Sequence, residues 1–193
     1  LCLFVVFLLS PQITQAIFQA FQCVPFEWSP TVTHYYVRSS LSVQCYTSEH
    51  DRILLISYAL IGIWPIGSVL LFFLLVYRAR PRLIEHTRDD YVVSIRLLHN
   101  DYKPESCFWA SVELVHRSIL IGWVLLIDEE KSFLRLVVAN IICIIMLTWT
   151  SITLPYLRMH DNVLAIAAAL LLQLTYIWSS YVKVLNALNE YEA

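Results

Sequence analysis

Charge is what this sequence has least of. Asp, Glu, Lys and Arg make up 15% of its 193 residues, where a soluble domain carries about 25%. Glycine occurs three times, too rarely for a turn-rich β chain. A net charge of −2 leaves no footprint for nucleic acid. The absent motifs exclude more. No helix carries arginine at every third position, so a voltage sensor of the usual kind is excluded. Nothing resembles a TVGYG selectivity filter. No HExxH, GxSxG or Gly-rich phosphate loop supports an enzyme. His34, His50, His86, His99, His116 and His160 are scattered and form no ligand cluster by spacing, so neither a metal nor a cofactor is expected. There is no Asn-x-Ser/Thr sequon.

What is present is hydrophobicity in long blocks. Apolar residues make up 59% of the chain, and the mean hydropathy is +0.64. Crossing a bilayer takes about 20 mostly apolar residues, and the backbone must satisfy its own hydrogen bonds there, which makes a helix the default. Five blocks qualify as spans, at about 1–22, 53–77, 107–127, 135–157 and 162–182. The sequence therefore predicts an all-α multi-pass transmembrane bundle, with 1–193 as one domain and the lipid bilayer as its first partner. Leu1 lies inside an apolar run without a basic flank, which reads as an internal start in a longer chain rather than a signal peptide. Further transmembrane helices or domains of that longer protein are expected partners, and a homo-oligomer is compatible with them.

The second block, Ile53–Tyr77, is the clearest. Its 25 uncharged residues would extend about 38 Å as a helix. Pro65, between Gly62 and Gly67, should kink it, and Pro11 should kink or break the first block. The third block is impure. Glu113 and Arg117 stand four apart on one helical face, with His116 beside them, so the three form a polar stripe. Asn140 interrupts the fourth block. Gln173 and Tyr176 lie on one face of the fifth, where Ala165 and Ala167 to Ala169 would let a neighbouring helix approach closely. Buried polar groups at membrane depth are costly and mark functional or bundle-holding positions. Glu113, His116, Arg117, Asn140, Gln173 and Tyr176 are thus the candidate intramembrane site. Asp161-Asn162 reads as a helix cap.

Charge asymmetry orients the chain. From 78 to 103 the second connection holds Arg78, Arg80, Arg82, Arg88, Arg96 and Lys103, whereas 24–51 holds Arg38 alone. Basic loops stay cytoplasmic, so 78–106 is expected inside and 24–51 outside. A short amphipathic helix is predicted in the cytoplasmic loop, with Tyr91, Ile95 and Leu98 on one face after Asp89-Asp90. The longer extracytoplasmic loop is aromatic and β-branched. It suits either a membrane-surface segment or a short hairpin, and Trp28, Tyr35 and Tyr36 resemble an interfacial belt. Cys23 and Cys45 flank it, and an oxidising compartment predicts a disulfide between them. Arg135 is expected to snorkel or to meet the acidic turn at 128–130.

Several segments resemble a family. They are FLLSPQITQAIFQAFQC, SVQCYTSEH, WPIGSVLLFFLL, YKPESCFWASVELVHRSILIGW and HDNVLA. They are similar to large multi-pass proteins of algae, oomycetes and other protists that carry a TRP-like or polycystin-like C-terminal membrane domain. The resemblance runs from about Leu3 to Tyr176. It includes Phe21 with Cys23, Cys45 with His50, Pro65-Ile66-Gly67, Tyr102 with Pro104, and Glu113 with Arg117. His116 stands where a second basic residue often occurs. The resemblance implies a plasma-membrane or endomembrane location, and a channel-like or transporter-like domain of the cation-permeating class. The alternative is a membrane anchor and signalling or adhesion scaffold for a large extracellular region. An intramembrane enzyme or lipid-handling protein ranks third.

Overall fold

The computed structural model describes residues 2–29, 32–84, 95–127 and 131–192. The chain is mostly helical (78%). Its elements run α1 (Cys2–Gln19), β1 (Cys23–Ser29), β2 (Val32–Val37), β3 (Ser40–Gln44), α2 (Ser48–Ile61), a π-helical turn (Gly62–Ile66) and α3 (Gly67–Ile84). Then come one turn of α4 (Arg96–His99), a 3-10 turn (Pro104–Ser106), α5 (Trp109–Ile121), a second 3-10 turn (Trp123–Leu126), α6 (Ser132–Thr153) and α7 (Met159–Glu192). Among the described residues, four helical segments are long and apolar enough to cross a membrane: Ser48–Arg80, Trp109–Leu126, Ser132–Thr153 and Met159–Asn189. Within α1 the apolar stretch is shorter, Val5–Gln19, and the helix runs through Pro11 unbroken.

The all-α expectation needs correction. Residues 23–44 form a three-stranded antiparallel sheet in the order β1-β2-β3. The hairpin reading of this loop is the one realised, with a third strand added. β-Branched and aromatic residues such as VTHYYV favour a pleated surface over a helix. Cys23 pairs with Val37, Val24 with Tyr36 and Phe26 with His34. A register shift between Glu27 and Ser29 interrupts this ladder before its last pair, Ser29 with Val32. The side chain of Trp28 lies outside what is described, while Tyr35 is exposed.

By its internal packing the chain divides into two compact units, 1–71 with 117–128 and 72–116 with 129–193. In the first, Ile17, Phe18 and Ile61 form a core, with Ile13, Phe21, Trp64 and Leu125 around it. The Phe18 ring meets Trp123 at 5.5 Å, and Phe21 meets Tyr58 edge-on at 5.1 Å. Gly122 makes this packing possible, because a Cβ there would lie 2.8 Å from both the Phe18 ring and Thr14 Cγ2. The interruption at Pro65 is a π turn. Proline has no N–H and its ring crowds the carbonyl four residues back. Widening the turn accommodates it, and the Gly67 N–H bonds Gly62 O, five residues away.

In the second unit, α6 and α7 pack as an antiparallel hairpin. On α6 the covered positions include Ser132, Leu136, Ala139, Cys143, Met146 and Thr150. On α7 they include Asn162, Ile166, Ala169, Gln173, Tyr176 and Ser180. Both series alternate steps of four and three, the period of a helix–helix seam. Ala169 lies on that seam, while Ala167 and Ala168 are exposed. Helix α6 ends at Leu154, whose φ of 42° is left-handed, and Pro155 follows. Helix α7 then begins at Met159, which makes Asn162 an interior residue and not the cap its sequence suggests. The Asn162 amide reaches back, accepting from Tyr156 N at 3.0 Å and donating to Tyr156 O at 2.9 Å. Ile95 and Leu98, two residues of the predicted amphipathic face, are buried. Residues 85–94, with Tyr91 and the Asp89-Asp90 start of that helix, lie outside the described residues, as does the acidic turn proposed for Arg135.

Candidate functional site

The candidate residues separate into three groups with different surroundings. The first lies in the α6–α7 seam. Asn140 Nδ2 donates to Leu136 O and Ser180 Oγ, each at 3.0 Å, and to Tyr176 O at 3.5 Å. Gln173 Nε2 donates to Asn140 Oδ1 at 2.9 Å. Two carboxamides and a hydroxyl thus close on one another between two apolar helices. Tyr176 contributes its backbone carbonyl. Ser180 was not legible as a member, because a serine in a span bonds its own helix by default, and here it also donates to Tyr176 O. Gln173 is buried, and its Oε1 has no hydrogen-bond partner among the described residues.

The second group surrounds Glu113. Tyr156 O–H donates to Glu113 Oε1 at 2.5 Å. The Tyr156 ring also lies 5.0 Å from that of Tyr102. Backbone bonds fix both tyrosines. Lys103 N donates to Pro155 O and Leu157 N to Asp101 O, each at 2.9 Å, forming an antiparallel bridge between Tyr102 and Tyr156. Trp109, Ala110 and Met146 pack beside them. Burial, then the nearby Glu113 carboxylate, hold the Tyr156 phenol above its ordinary pKa. It therefore acts as a neutral donor. No motif pointed to Tyr156, since the contact joins residues 43 positions apart.

Of the rest of the stripe, Arg117 is exposed and its guanidinium lies 5.0 Å from the centre of the Phe7 ring, a cation–π contact. His116 is half-buried. Glu113 thus meets Tyr156, and Arg117 meets the Phe7 ring.

The third group is at the sheet. Cys23 and Cys45 form the expected disulfide, with Cα atoms 6.3 Å apart. Thr47 caps α2, its Oγ1 accepting from His50 N at 3.4 Å while its hydroxyl donates to Gln44 O at 2.8 Å. Tyr46 between them is left-handed, with φ 64°. This turn sets His50 against the disulfide, and the sulfurs and a ring nitrogen all lie within 4.8 Å of one another. Spacing alone did not single out His50 as a ligand. No protein-family model matches the chain, and no curated protein or solved structure does either.

Proposed function

We propose that the chain is a multi-pass membrane anchor and scaffold, the part of a larger protein that holds other domains at a bilayer. One observation carries this reading: most of the candidate polar side chains take partners within the protein. Asn140 and Gln173 tie α6 to α7, and Tyr156 is bonded to Glu113. Groups paired this way hold helices together without needing a hydrated path. The resemblance to protist proteins with large extracellular regions supplies what such an anchor would present.

Three contacts support five crossings with alternating ends. Loops 101–103 and 155–157 pair by backbone bonds, as two connections on one face would. Phe18, near the end of α1, meets Trp123 in the 3-10 turn that follows α5. Lys183 bonds Ser132, so the C-terminal part of α7 meets the start of α6. In this reading α1 belongs to a fifth span, and the arginine-rich stretch that begins in the last turns of α3 faces the cytoplasm. The disulfide-bonded sheet then faces an oxidising compartment, at the plasma membrane or an endomembrane.

Cation permeation is the second reading. The unpartnered Gln173 Oε1 favours it, because a lone carbonyl at membrane depth suits water or an ion. Proteoliposome flux decides between the two. The anchor reading expects no ion current from well-folded protein, and Glu113→Gln, Arg117→Gln and Gln173→Leu altering stability alone. A cation current whose conductance or selectivity changes in any of these variants would overturn it.

A further inference from the structure

The contact of His50 with the disulfide holds more chemistry than a covalent staple requires. His50 is 3% exposed and Cys45 is equally buried. The orientation of the imidazole is decided by its neighbours. Tyr46 N, which can only donate, faces Nδ1 at 3.5 Å. Nδ1 is therefore the acceptor, and the ring proton of the neutral imidazole sits on Nε2, which donates to Ala20 O at 3.2 Å. A histidine that ligates a metal through one nitrogen characteristically donates its other N–H to a backbone carbonyl, which locks tautomer and ring orientation. That outer support is already built. The bond from Tyr46 N is at the limit of hydrogen-bond length, so little is lost when Nδ1 takes a different partner.

The separations agree with this. Two sulfurs each ~2.3 Å from a tetrahedral zinc lie about 3.8 Å apart. The two sulfurs and the histidine nitrogen fall within 4.8 Å of one another. Opening the disulfide thus needs only a small separation of sulfurs on a turn fixed by Tyr46 and Thr47. Thiolate and imidazole are ligands that suit zinc.

We infer that Cys23, Cys45 and His50 form a zinc site when the Cys23–Cys45 disulfide is reduced, with Nδ1 and two thiolates as ligands and a fourth position open to water. The exchange balances simply. A dithiol reductant gives two electrons and two protons to the disulfide and becomes a disulfide itself. Zinc then displaces two protons from the cysteine thiols to solvent. Metal and disulfide are alternative closures of one loop.

The test uses the full chain in nanodiscs, either oxidised or treated with dithiothreitol and desalted without air. Cobalt(II) is titrated as a visible substitute and then displaced with zinc. The expected result is one cobalt per reduced chain, with a thiolate-to-cobalt absorption band that zinc abolishes, and none in the oxidised chain. His50→Ala should weaken binding beyond the ~10–100-fold that an outer-shell partner is worth. Cys23→Ser/Cys45→Ser, which keeps Cys2, Cys107 and Cys143, should show no band. Zinc should also protect Cys23 and Cys45 from a maleimide, read peptide by peptide in the wild-type chain. That measurement does not depend on the double variant folding. Equal cobalt binding by oxidised protein, unchanged affinity in His50→Ala, or a reduced helical protein that binds no metal would each overturn the inference.

Discussion

In the unit built from residues 1–71 and 117–128, a covalent bond closes 22 residues of chain and the surrounding groups are aromatic. In the unit built from 72–116 and 129–193, the ties are hydrogen bonds between amides, hydroxyls and a carboxylate. Within the second unit, only 6% of the apolar window in Met159–Asn189 is buried. A helix as exposed as α7 cannot be fixed by apolar packing, because lipid solvates its leucines as well as protein does. It needs a few directional bonds. The first unit adds a covalent bond to its aromatic packing, and the second adds directional side-chain bonds to an aromatic cluster of its own.

The largest expected effect breaks the covalent side. Cys23→Ser/Cys45→Ser should destabilise the sheet-bearing unit by about 3 kcal/mol. Amide exchange should then rise in Cys23–Gln44 and the first turn of α2 and remain unchanged in α6 and α7. Equal loss in both units would show that they are not separately stabilised. Next comes Gly122→Ala, whose methyl would lie 2.8 Å from the Phe18 ring and Thr14. Overpacking of this kind costs about 1–3 kcal/mol, measurable as a lower midpoint in detergent denaturation and as altered Trp123 fluorescence.

The hydrogen-bonded side should yield smaller numbers. Asn140→Leu removes four bonds at once, yet an interhelical polar contact in a membrane is worth about 0.6–1.7 kcal/mol. Adding Gln173→Leu should cost less than the sum of the singles, which a denaturation cycle of the four proteins would show. Strict additivity would mean the two amides do not cooperate.

Tyr156→Phe should cost about 1 kcal/mol and change the alkaline limb. The folded pKa of Tyr156 is raised, so its contribution is complete below the unfolded pKa of about 10 and declines as pH rises through the higher folded value. Stability of the wild type should therefore fall more steeply than that of Tyr156→Phe above about pH 10. Parallel curves would remove Tyr156 from the account.

Which features were legible follows from the same physics. Helices that must cross a bilayer announce themselves through uninterrupted apolar residues, and four of the five blocks are helices of adequate length. Their ends were less visible. Helix α2 starts at Ser48, five residues before the charge-free stretch, because the Thr47 cap and the first turn are polar. Helix α7 continues to Glu192, where propensity and not hydropathy sustains it. Asn140 and Gln173 stood out as polar residues at depth. That they meet each other depends on how α6 and α7 slide past one another, which no local spacing encodes. The sheet was legible only as a hairpin option, because its strands are short and the pairing partners sit in a loop that reads equally well as interfacial.

The disulfide also has a mechanical consequence. It joins the residue that opens β1 to the residue after β3, with Cα atoms 6.3 Å apart. Tension between α1 and α2 then travels through two sulfur atoms and bypasses the strands. The 22-residue detour could otherwise unravel by ~75 Å at the reach of an extended chain. The sheet is slack out of the line of force, and a pull arriving at either helix is passed to the other almost without delay or stretch.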